Sequence, residues 1–148
     1  MSSEKEMAQI HDKYGKSLFE KVAGCTFVDH GNSVKVQYVG GITASIDGTV
    51  NNECAVEIES RVDKQIRGAV LDLLCHPYPK KLLILLPVHM NNPEKTAIHC
   101  KWILEHFKKP HEQTEVILLE GSGDNPHQLE DTELIQNALK KLNCLGCK

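Results

Sequence analysis

Asp47, in Ile46-Asp47-Gly48, and the pair Glu57 and Glu59, in Val56-Glu57-Ile58-Glu59, are the residues of this chain best suited to chemistry. The second run is rich in β-formers. In a strand, successive side chains point to opposite faces, so Glu57 and Glu59 share one face while Val56 and Ile58 share the other. Like charges about 7 Å apart repel each other unless something positive lies between them. A hard divalent cation held by carboxylate oxygens removes that conflict, and Asp47 at a neighbouring strand end is placed to be a third ligand. The spacing therefore marks a candidate metal site. The competing reading is structural: a solvated sheet face on which the glutamates pair with Arg61, Lys64 or Lys35.

The elements that must position these residues follow from periodicity. Met7, Ile10, Tyr14, Leu18 and Val22 recur at helical steps, which predicts an amphipathic helix over about 3–23, stopped near Gly24. Val34, Val36 and Tyr38 alternate with Lys35 and Gln37 and predict a strand ended by Gly40-Gly41. Residues 42–46 and 54–59 read as two further strands, with Asp47-Gly48 opening the turn, and short connections make the three an antiparallel meander. Ile66, Val70 and Leu74, with Ala69 and Leu73 beside them, form a helical stripe ending before His76-Pro77. Residues 82–88 read as a strand buried on both faces. Asn92-Pro93 caps and starts a helix that runs through Trp102 to about Lys109. A strand over 116–119 and a helix marked by Leu134, Ile135, Ala138 and Leu142 complete the order α-β-β-β-α-β-α-β-α. That order predicts an α/β fold with a mixed sheet, built as a single domain over 1–148.

Composition narrows the function classes. Hydrophobic residues make up 41% and charged residues 25%, as in an ordinary globular protein. No apolar run approaches the ~20 residues of a membrane span, and the N-terminal residues lack the apolar segment of a secretory signal. Six cysteines in a chain of this length, with no mark of secretion, read as reduced thiols and a cytoplasmic location. Net charge is -3, which disfavours a generic nucleic-acid binder, but the charge is unevenly spread. Residues 1–60 carry -4, residues 61–109 carry +5 and residues 110–148 carry -4. The basic third begins with Arg61, Lys64 and Arg67, directly after the carboxylates.

In motif and order the chain resembles the PD-(D/E)xK nuclease superfamily of restriction endonucleases, junction resolvases and repair nucleases. Two features carry the resemblance: the α-β-β-β-α-β order over about 3–90, with 91–142 as an α/β extension, and Ile46-Asp47 followed by Glu57-Ile58-Glu59. It implies a restriction-endonuclease-like fold and a DNA endonuclease that uses Mg²⁺ or Mn²⁺. Carried over, Asp47 and Glu57 are the metal ligands, and Glu59 stands where the family usually has lysine, as in a restriction-endonuclease branch with Glu-x-Glu. Hydrolysis of a phosphodiester needs a cation on the scissile phosphate and an activated water, and Glu59 is placed to accept that water's proton. Lys64 or Arg67, in the following helix, then stabilises the phosphate. Glu20 resembles the helix glutamate that some members add.

Further expectations concern partners. His76-Pro77-Tyr78-Pro79-Lys80-Lys81 reads as a stiff loop that presents an aromatic ring and two lysines, so Arg61, Arg67, Lys80 and Lys81 are the candidate nucleic-acid contacts. A homodimer would let one small subunit cut each strand, and a protein partner would supply sequence specificity. Cys144-Leu145-Gly146-Cys147 reads as a pair of frayed tail thiols, and Cys25, Cys54, Cys75 and Cys100 as small core residues. Two rival functions stay open: a nuclease-fold binding or assembly module without catalysis, and a small α/β enzyme acting on a phosphorylated metabolite.

Overall fold

The computed structural model describes residues 4–23, 34–37, 41, 43–60, 63–121 and 127–144. In chain order these form α1 (Glu4–Ala23), β1 (Val34–Gln37), β2 (Thr43–Ile46), β3 (Gly48–Val50), β4 (Cys54–Glu59), α2 (Asp63–Cys75), β5 (Lys80–Leu85), a short 3-10 turn (Pro87–His89), α3 (Pro93–Phe107), β6 (Gln113–Leu118) and α4 (Gln128–Lys141). The main sheet has the order β3-β4-β5-β6, with β3 antiparallel to β4 and the other three strands parallel. The fold is mixed α/β, as the alternation of periods requires.

Helices cover both faces of that sheet. On one face Val56, Ile58, Leu82 and Ile84 meet Leu18 and Phe19 of α1 and Ile135 and Leu139 of α4. On the other, Ala55, Leu83 and Leu85 meet Ile66 and Leu73 of α2 and Leu104 of α3. Strands buried on both sides lose the polar alternation of an open sheet, which is why β5 reads as an unbroken apolar run after its two lysines. Asn92 caps α3 as its sequence indicates, its side chain accepting a hydrogen bond from the Lys95 amide at 3.1 Å.

The expected three-stranded meander is not what forms. Its turn falls at Asn51-Asn52, not at Asp47-Gly48. Both asparagines adopt left-handed backbone (φ 54° and 55°), and the Glu53 amide donates to the Val50 carbonyl at 3.1 Å. Asparagine tolerates that conformation better than any residue except glycine, so an Asn-Asn pair makes a tight hairpin. Residues 43–50 are one run of chain interrupted at Asp47: β2 pairs with β1, and β3 pairs with β4. β1 and β2 thus form a separate two-stranded sheet. The break has a local cause. Asp47 turns its carboxylate onto the backbone of β4, where the ladder would otherwise continue.

β5 also starts earlier than its apolar pattern, at Lys80, which pairs with Cys54 while Lys81 pairs with Ala55. The two lysines belong to a strand and not to a loop.

Candidate functional site

Asp47 lies opposite Glu57, in the register set by the pairing of Gly48 with Val56. Side chains replace the ladder here. The Asp47 amide donates to Glu57 Oε1 at 2.7 Å, and the Ile58 amide donates to Asp47 Oδ2 at 2.7 Å. The other oxygen of Asp47 lies 3.3 Å from Nζ of Lys16, on α1. α1 comes this close because of the residue before Lys16: a Cβ built on Gly15 would stand 2.8 Å from Cγ2 of Ile58. Glycine at that point lets the helix backbone approach β4 directly.

Glu57 and Glu59 are buried, at 7% and 4% exposure, so the solvated sheet face is excluded. They face α2. Ser45, Asp47, Glu57, Ile58 and Glu59 on the sheet side, and Gln65, Gly68, Ala69 and Asp72 on α2, enclose a polar cleft of about 200 Å³. The three α2 positions 65, 68 and 72 follow helical spacing and present one stripe to the cleft. Burial pushes the Asp47 carboxyl above the usual carboxylate range, against the Ile58 amide and the Lys16 ammonium, and Glu59 adds to the rise. Burial also raises the carboxyl of Asp72. Acids brought together out of water resist full ionisation, and a bound cation relieves such a cluster.

The donor set suits a hard cation: the carboxylates at the cleft offer oxygen, and among the described residues no thiol or imidazole lines it. Among the described residues, however, no group of three or more His, Cys, Asp or Glu side chains already stands in a ligand arrangement. Both oxygens of Asp47 are engaged, one by an amide and one by Lys16, so loading a cation at Asp47 Oδ1 means moving the Lys16 ammonium aside.

The remaining expected residues are scattered. Arg61 and the side chain of Lys64 lie outside the described residues. Arg67 is exposed and lines a different feature, an apolar groove of about 600 Å³ between α2 and α3, with Leu71, Ile103 and Phe107. Lys80 projects to the α1/α4 side of the sheet and pairs with Glu53 at 3.2 Å. Lys81 is fully buried, donating to the His76 carbonyl and lying 3.3 Å from Glu112, so its expected place on a nucleic-acid surface is corrected. Burial lowers its ammonium, and Glu112 holds it up. Glu20 lies one helical turn beyond Lys16, outside the cleft lining. Sequence reading missed Lys16, Gln65, Gly68 and Asp72. The one available signal was Gly15 inside an apolar-periodic helix, a mark of close backbone approach.

No family of known proteins, no curated protein and no solved structure matches this chain.

Proposed function

We propose that the chain is a divalent-cation-dependent DNA endonuclease domain of the PD-(D/E)xK kind, with a restriction-endonuclease-like core. The observation that carries this reading is the convergence of Asp47, Glu57 and Glu59 on one polar cleft, with a lysine ammonium at Asp47. Asp47 and Glu57 would hold Mg²⁺ or Mn²⁺. When bound, that ion would neutralise charge on the scissile phosphate and acidify a water. Glu59, on the same strand face, accepts the water's proton. Lys16 supplies from α1 the positive charge that the family usually places at position 59, and it takes the place proposed from sequence for Lys64 or Arg67. A single cleft of this kind would cut one strand, so cutting both strands calls for a homodimer.

A second reading is favoured by a specific observation. With Lys16 on one Asp47 oxygen and the Ile58 amide on the other, this acid is satisfied without any cation. A binding or assembly module that keeps the fold without cleavage would need nothing more.

Plasmid nicking with Mg²⁺ and with Mn²⁺ separates the two. The endonuclease reading expects nicking by the wild type, none by Asp47→Ala, and slowed cleavage with retained cation binding for Glu59→Gln. Lys16→Met should lose cleavage while binding Mn²⁺ more tightly, because a competing charge has gone. A wild type that cuts neither DNA nor RNA, or an Asp47→Ala variant that cuts equally, rejects it.

A further inference from the structure

Cys54 opens β4 and Cys144 follows α4, yet both lie in the same buried cluster, at 0% and 1% exposure. The end of α4 delivers the second thiol there. Asn143 takes left-handed backbone (φ 56°) and donates to the Lys140 carbonyl at 3.0 Å, while the Cys144 amide donates to Leu139 at 2.8 Å. These are the two bonds of a Schellman turn, which folds the chain back across the helix end. Cys144 is therefore held in place, and the expectation of a frayed tail thiol is corrected; Cys147 lies outside the described residues.

The surroundings are ionic. Cys144 Sγ stands 3.6 Å from Glu53 Oε1, and the same oxygen is 3.2 Å from Nζ of Lys80. Lys80 also reaches the Asn143 carbonyl at 3.4 Å, and it sits beside Cys54 in the β4–β5 register. The strand register and the helix turn thus bring two thiols and a lysine to one point. We propose that Cys54 and Cys144 form a thiol–disulfide exchange site that a low-molecular-weight disulfide, such as glutathione disulfide, converts to an internal bond tying the end of α4 to the start of β4.

The roles of the two sulfurs differ. A hydrogen bond from Cys54, aided by Lys80 against the effect of burial, brings the Cys144 thiol below the usual range. The same hydrogen bond, with burial, holds Cys54 well above it. Cys144 Sγ lies against the partly exposed Glu53–Lys80 pair and so meets the reagent first, which makes it the attacking thiolate and Cys54 the resolving thiol. Cys144 Sγ attacks one sulfur of the small disulfide, the S–S bond breaks, and the departing thiolate takes up the proton Cys144 has lost. Cys54 then gives up its proton, attacks Cys144 Sγ and expels the second small thiol. One small disulfide is reduced to two thiols, and the protein pair loses two electrons and two protons. The reagent enters beside Glu53 and Lys80, whose side chains keep 25% and 14% of their surface in solvent.

The test uses the full chain under native conditions with glutathione disulfide. Non-reducing proteolysis and mass spectrometry should find a Cys54–Cys144 cross-link, a chain lighter by two hydrogens and a raised Tm, all reversed by dithiothreitol. Cys54→Ser should trap one glutathione on Cys144, Cys144→Ser should prevent the cross-link, and Cys147→Ser should leave it unchanged. If Cys54→Ser does not fold, the cross-link map of the Cys147→Ser chain decides. A Cys144–Cys147 bond, glutathione on Cys147 alone, or no modification of Cys54 and Cys144 overturns the proposal. These readouts are independent of nuclease activity, so either result leaves the endonuclease reading to its own test.

Discussion

Burial holds the Asp47 carboxyl above the usual carboxylate range, outweighing the amide and the lysine that favour its charge. A carboxyl whose folded pKa lies above its unfolded value binds more protons in the native state, so its charge costs stability at neutral pH and that cost is relieved as the pH falls. Asp47→Asn keeps an oxygen for the Ile58 amide and removes the charge. We expect it to match or exceed the wild type in Tm while losing Mn²⁺ binding in calorimetry; a large drop in Tm would show that the Lys16 pair is mainly structural. His76 has the opposite sign. Burial, with Lys81 beside it, lowers its imidazole from 6.5 to about 4. Between those values the unfolded chain binds the extra proton, so stability is lost as the pH falls through this window, by up to about 1.4 kcal/mol per pH unit. His76→Asn should flatten that acid limb in a series of melts from pH 7 to pH 4. Equal slopes in the two proteins would place the acid sensitivity elsewhere.

Two helix glycines have opposite surroundings. A Cβ at Gly15 meets Ile58 at 2.8 Å, whereas a Cβ at Gly68 meets nothing within 4 Å. Gly15→Ala should therefore wedge α1 away from β4 and cost about 1–3 kcal/mol in urea unfolding; on the endonuclease reading it should weaken cleavage as well. Gly68→Ala should stabilise the chain by about 1 kcal/mol, the ordinary gain of alanine over glycine inside a helix. Elements that declare themselves by periodicity were legible: the apolar steps of α1 and α2, and the Asn92-Pro93 start of α3. So was the placement of Glu57 and Glu59 on one strand face near Asp47. The strand break at Asp47 was not legible, because its cause is a side chain bonding to a backbone amide on another strand. Nor was the start of β5. A pattern reading stops a buried strand at its first charge, and only the later approach of Glu112 makes Lys81 acceptable inside.

Across the molecule, charge and chemistry occupy different places. The two lysines of β5 lie at the opposite end of the sheet from Glu59, about 13 Å (Lys81) and about 16 Å (Lys80) along the strand at a rise of ~3.3 Å per residue, so they form no rim around the cleft. Lys81 and Glu112 instead lock the start of β5 to the approach of β6. Glu112→Gln leaves an ammonium in the core with its partner gone, and we expect it to destabilise the chain by about 3–5 kcal/mol in urea unfolding. A loss below about 1 kcal/mol would mean that the lysine escapes to water. α1 completes its packing on α4, where the Tyr14 hydroxyl donates to Asp131 Oδ2 at 2.7 Å, and the Glu120 and Gly121 amides donate to the same buried carboxylate. The first and last helices described here therefore share one face of the sheet. On the ribosome this sets an order of events. α1 emerges before any strand of the sheet, and its companion follows more than a hundred residues later, a wait of roughly 6–25 s at ~5–20 residues per second. Even after the strands have emerged, the side of this sheet face that Ile135 and Leu139 of α4 will cover stays open, so the interval before α4 emerges is when the nascent chain is most exposed to aggregation and has most use for a chaperone.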